Sequence, residues 1–175
     1  MKIMYWIALL VTALGFSTVA TAEQATGPEA FYGRYNGTAQ AIDVQGWPVG
    51  VDRRDFDVEI GQADNGFFVA WTTVRKSSGK GVRRDSARIV FEPSGRAGIY
   101  VQKAAASELA NGLSWASISA RTLTVRVLGI LDDGGYEIQT YERTLATDGL
   151  QLFFRSDRNG SGSKIVTAFS RRQTK

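Results

Sequence analysis

Asp55-Phe56-Asp57-Val58-Glu59-Ile60 alternates acidic and apolar residues without a break. In an extended chain successive side chains point to opposite faces, so Phe56, Val58 and Ile60 share one face and three carboxylates the other. That is a strand with one buried and one wet face. The same period of two recurs in Phe67-Val69-Trp71, in Ile89 and Phe91, in Leu123-Val125-Val127 within Thr122 to Leu131, in Tyr136-Ile138 and in Leu150-Leu152-Phe154.

The segments between these runs carry turn chemistry. Asp132-Asp133-Gly134-Gly135 joins two long alternating runs, and its glycines can take the positive φ that a tight hairpin demands. Asp64-Asn65-Gly66, Asp148-Gly149 and Arg158 to Ser163 read as further turns. A short helix is expected near 103–110, where Ala104-Ala105-Ala106, Glu108 and Leu109 favour helix and Asn111-Gly112 offers a stop. The rest is β. Eight to ten short strands with local connections predict an all-β antiparallel up-and-down barrel, whose closure removes exposed sheet edges.

Composition narrows the chemistry. The 175 residues include no cysteine and no histidine, so disulfides, a thiol nucleophile, an imidazole base and the usual zinc and haem ligand sets are all excluded. No cofactor, no metal and no catalytic residue is expected, and the protein reads as non-enzymatic. Lys2, the apolar run Ile3 to Phe16 and the small residues Ala20-Thr21-Ala22 form a signal-peptide pattern over residues 1–22, cleaved before Glu23. Residues 23–175 are then one domain, periplasmic or secreted, with no membrane span after cleavage.

Two ends of this domain carry a family pattern. Phe31-Tyr32-Gly33-Arg34-Tyr35 opens the first strand and Arg171-Arg172 follows the last. The arrangement resembles lipocalins and related calycin barrels, which have a Gly-x-Trp motif at the first strand and an arginine packing across its tryptophan. Here Tyr35 stands in the tryptophan's place. The resemblance implies a lipocalin-like cup closed at one end, holding a small, mostly apolar molecule, with Arg171 or Arg172 stacked on Tyr35.

Other motifs have simpler explanations. Ser77-Ser78-Gly79-Lys80 and Ser161-Gly162-Ser163-Lys164 match the Ser-x-x-Lys spacing that on a helix puts a lysine base beside a serine, but both fall in glycine-rich turns. Asp157, Asn159, Ser161 and Gly162 copy half of a calcium loop, whose twelfth position is Ala168 rather than a bidentate glutamate. Arg75, Lys76, Lys80, Arg83 and Arg84 make a cationic hairpin over 75–84 that could hold phosphates or an anionic component of the cell envelope. That run contains no stacking aromatic, and nucleic acid is not an expected partner.

Tyr35, Trp71, Tyr100, Trp115 and Tyr136 lie on separate predicted strands, and convergent aromatics with polar tips suit a ligand pocket. Two functions remain: a periplasmic binding protein for a small hydrophobic or amphipathic ligand, and an envelope interaction module that fills its own core and acts through its surface. A hollow lined by aromatic rings would favour the first. A filled core beneath an exposed apolar or basic patch would favour the second.

Overall fold

The structure, a computed structural model, describes residues 26–42, 45–77, 81–103 and 112–174. Both the predicted signal peptide and the predicted helix near 103–110 fall outside these, apart from Lys103. The described residues form ten strands: β1 Gly33–Ile42, β2 Pro48–Ala63, β3 Gly66–Ser77, β4 Gly81–Pro93, β5 Ile99–Gln102, β6 Leu113–Ser119, β7 Thr122–Ile130, β8 Tyr136–Ala146, β9 Gly149–Arg158 and β10 Ser161–Arg172. Each pairs antiparallel with its neighbours in sequence, and β1 pairs with β10 to close the barrel. The up-and-down barrel expected from the sequence is the one observed. Among the described residues the only helix is a single 3₁₀ turn, Pro28–Phe31, and none is long and apolar enough to cross a membrane.

The hairpins are as tight as their sequences require. Asp64-Asn65, Ala120-Arg121, Thr147-Asp148 and Asn159-Gly160 are two-residue connections between directly paired strand ends. Three of them begin or run through left-handed backbone, with φ of 39° at Asp64, 49° at Ala120 and 50° at Asn159. Gly149 answers a different need: a Cβ there would overlap the carbonyl oxygen of Ser170 on β10.

Alternation sorts the two faces of the wall. Phe56, Val58 and Ile60 are buried, as the acid–apolar pattern demands, and register carries that inner face across to Val69 and Trp71 on β3 and Ile89 on β4. One end is packed solid: Phe31, Tyr35, Phe67, Phe91, Leu123 and Leu150 are each at most 1% exposed and form the floor. The β2–β3, β6–β7 and β8–β9 turns lie at the floor end, and the β7–β8 and β9–β10 turns at the other.

Candidate functional site

The floor is closed by the chain's own first turn. Tyr35 sits under the 3₁₀ turn and donates its hydroxyl to the Phe31 carbonyl at 2.7 Å. The Arg172 guanidinium lies 5.2 Å from the Tyr35 ring centre and donates to the Tyr32 and Ala30 carbonyls at 3.0 and 3.3 Å. The arginine therefore clamps the turn over the barrel end and shields the tyrosine, whose phenol is pushed up by burial despite the opposing pull of Arg172.

Above the floor the barrel is hollow. A cavity of about 580 Å³ is walled by Phe56, Trp71, Tyr141 and Phe154 among other side chains. The Trp71 and Tyr141 rings come from opposite walls, β3 and β8, and meet with centres 5.3 Å apart, while Tyr141 and Phe154 are 4.8 Å apart. Polar groups enter the same space: Thr73, Arg83, Asp85, Gln102, Ser114, Gln139, Arg143 and Lys164 also line it. Arg83 Nε pairs with Asp85 Oδ1 at 3.0 Å, and Lys164 Nζ lies 5.2 Å from the Phe154 ring centre.

Strand β8 supplies the cavity's polar line. Its inward residues are Glu137, Gln139, Tyr141 and Arg143, which register sets opposite Gly129, Val127, Val125 and Leu123. Ser156 donates to Glu137, Gln139 Nε2 donates to the same carboxylate at 3.2 Å, and the Tyr141 hydroxyl donates to Gln139 Oε1 at 2.7 Å. Burial pushes the Tyr141 phenol up to about 12, partly offset by Arg143, so it stays a neutral donor. Arg143 is the deepest of the four. It is 3% exposed, its guanidinium lies 5.3 Å from the Tyr141 ring centre, and Nη1 has no hydrogen-bond partner.

The five aromatics singled out in the sequence do not converge. Trp71 lines the cavity. Tyr35 and Tyr100 belong to the floor, Tyr100 standing edge-on to Phe67 with ring centres 5.0 Å apart. Trp115 lies on the outer face of β6, opposite Arg126, because Ser114, Ala116 and Ile118 take the inner positions. Tyr136 is 39% exposed beside the Asn159-Gly160 turn. The basic run is also divided: Arg75 stands opposite Arg83 in the register, Arg83 reaches the cavity, Arg84 is exposed, and Lys80 is outside the described residues. Lys76 stands opposite Val82. Of the half calcium loop, Asp157 pairs with Arg155 at 2.6 Å and Asn159 accepts from the Tyr136 amide at 2.8 Å.

A second hollow, about 610 Å³, lies on the outside of β1–β4 among Arg34, Asp57, Glu59, Thr72, Ser86 and Arg88. Four of these groups are already engaged, Arg34 paired to Glu59 at 3.4 Å and Thr72 bonded to Ser86 at 2.9 Å. The aromatic interior is the stronger candidate site.

No protein-family profile and no curated protein matches this sequence. Solved structures share the barrel, and two of them illustrate it. An S-type phycobiliprotein lyase from Guillardia theta superposes with a TM-score of 0.55 over 85% of this chain and 91% of that one, at 10% identity. A protein of unknown function from the DUF3598 family, from Nostoc punctiforme, gives 0.57 over 85% of this chain and 50% of that one, at 12% identity. The likeness is one of fold. It shows a closed antiparallel β-barrel of this architecture, and no family match singles out the lipocalins.

It also corrects an expectation. The sequence read as non-enzymatic because histidine and cysteine are missing, yet a chain of this same fold is a lyase. The elimination was too narrow: a carboxylate and a phenol can also move protons, and Glu137 and Tyr141 stand two hydrogen bonds apart on one wall of this lumen.

Proposed function

We propose that this barrel takes up a small amphipathic molecule in its lumen, and that it does so in the periplasm or outside the cell, after loss of residues 1–22. The observation that carries the reading is the hollow itself. About 580 Å³ of space faced by four aromatic rings and a line of hydrogen-bonding groups is the size and mixture of a small-molecule site. A module acting only through its surface has no use for it, since an interior that can be filled with side chains gains packing and transfer energy by being filled. The apolar rings would hold the body of the ligand, and the groups on β8 its polar end.

Trp71 makes the reading measurable. Titration with amphipaths of alkyl and aromatic type should change tryptophan emission saturably. Trp71→Phe should abolish that change, because Trp47 is 70% exposed and Trp115 is on the outer face. A flat response across the panel counts against uptake into the lumen.

A further inference from the structure

Arg143 is a cation with nothing to balance it. Its side chain is buried on the cavity wall, and none of the ion pairs among the described residues includes it. The titratable groups facing the lumen around it are accounted for. Asp85 is bonded to Arg83, Glu137 to Ser156 and Gln139, and the Tyr141 phenol to Gln139, while Lys164 lies over the Phe154 ring. Removing a guanidinium from water without a counter-ion is among the more costly arrangements a fold can contain, and the Tyr141 ring face compensates only a part of it. Burial lowers the group to about 10, which leaves it charged at neutral pH.

We infer that the ligand carries a carboxylate, and that this carboxylate docks on Arg143, completing the ion pair that the empty barrel lacks. The inference rests on the lumen being the binding site. A planar guanidinium presents two parallel N–H donors to a carboxylate, and Nη1 is free to provide one of them. Position supports the same orientation. Arg143 is the deepest polar group of β8, with Leu145 beyond it packed into the floor, so the acid group enters first. The apolar body then lies between Trp71, Phe154 and Tyr141, on the side of Arg143 away from the floor. A carboxylate fits better than a phosphate at this depth, since a dianion calls for more than one cation and the other two that line the lumen are engaged elsewhere, Arg83 with Asp85 and Lys164 over the Phe154 ring.

Paired probes test this: dodecanoate against 1-dodecanol, and 1-naphthylacetate against 2-(1-naphthyl)ethanol, followed by Trp71 emission. In the natural protein each acid should bind about ten- to a hundredfold more tightly than its alcohol, the range expected for a charge-assisted contact in a buried site. Arg143→Met should erase that preference, bringing acid and alcohol to similar affinities. The same substitution should raise the melting temperature, because it replaces an unpaired buried charge by an apolar chain of similar length. If acid and alcohol bind equally in the natural protein, or if Arg143→Met keeps the preference, the carboxylate assignment is wrong although uptake into the lumen stands. If no probe of either kind binds, uptake fails and the assignment falls with it. Should Arg143→Met not fold, Arg143→Lys keeps the charge but loses the fork and is expected to bind the acids about tenfold more weakly.

Discussion

Ala120 is the residue whose backbone fits its side chain least well. It holds φ at 49° in the two-residue turn between β6 and β7, a conformation in which a Cβ crowds the following carbonyl. Glycine there removes the crowding, at the expense of a more flexible unfolded chain. The first effect is the larger, so Ala120→Gly should stabilise the protein by about 0.5–1 kcal/mol, read as a rise in denaturant midpoint. Tyr141 gives a residue-level dependence on pH. Its phenol is held protonated in the barrel to about 12, while the unfolded chain releases that proton near 10. The folded state therefore binds the extra proton between those values. This contribution is complete below pH 10 and is lost as pH rises toward 12. Arg143, lowered by burial, runs in the opposite sense over the same span but is present in both proteins of the comparison. Urea unfolding of the natural protein and of Tyr141→Phe at rising alkaline pH should show the natural protein losing its advantage. Parallel curves would show that the phenol titrates alike in both states.

At the scale of elements, the β7–β8 hairpin shows what the sequence makes plain. The Leu131 amide donates to the Gly135 carbonyl at 2.8 Å, the Gly134 amide donates to the Leu131 carbonyl at 2.9 Å, and Gly134 has φ of 81°. Nothing lies within 4 Å of where its Cβ would be, so Gly134→Val should cost about 1–2 kcal/mol through backbone strain alone. Thermal unfolding checks this, and an unchanged melting temperature would argue against the turn. Turns and strands were legible because glycine and period-two alternation report local geometry. Strand faces were legible only where the inside is dry. On β8, Tyr136 and Ile138 look like the inner face by polarity, but the register turns Glu137, Gln139, Tyr141 and Arg143 inward. A hollow barrel inverts the rule that apolar means inside. The one available signal was Glu137, Gln139, Tyr141 and Arg143 themselves, four hydrogen-bonding residues at alternate positions in a chain that must pass through a closed wall. Trp115 was expected in the pocket as one of the polar-tipped aromatics, whereas small Ser114 and Ala116 occupy the inner positions.

For the whole molecule, closure of the barrel followed from the count and spacing of strands, and the clamp of Arg172 on Tyr35 from two short motifs at its ends. Whether the lumen is full or empty could not be read from any local pattern, because it depends on the difference between barrel radius and summed side-chain volume. Export is a separate expectation with a direct measurement. Protein recovered from a Gram-negative host should have the intact mass of a chain starting at Glu23, and retention of residues 1–22 would instead fix it at the membrane surface.

The seam between β1 and β10 also sets the order of events during synthesis. Asn36 and Gln173, 137 positions apart, are bonded at 2.8 Å, and the Gln173 amide reaches the Arg34 carbonyl. A growing chain can zip β2 through β9 hairpin by hairpin, but the outer edge of β1 stays bare until β10 has been made. Closing this seam is therefore the last step of folding, slow relative to the local hairpins, and a chain cut short within β10 is the most exposed to edge-to-edge aggregation. Ser170, Arg171 and Arg172 alone carry three of the register pairs that join the two ends of the ring.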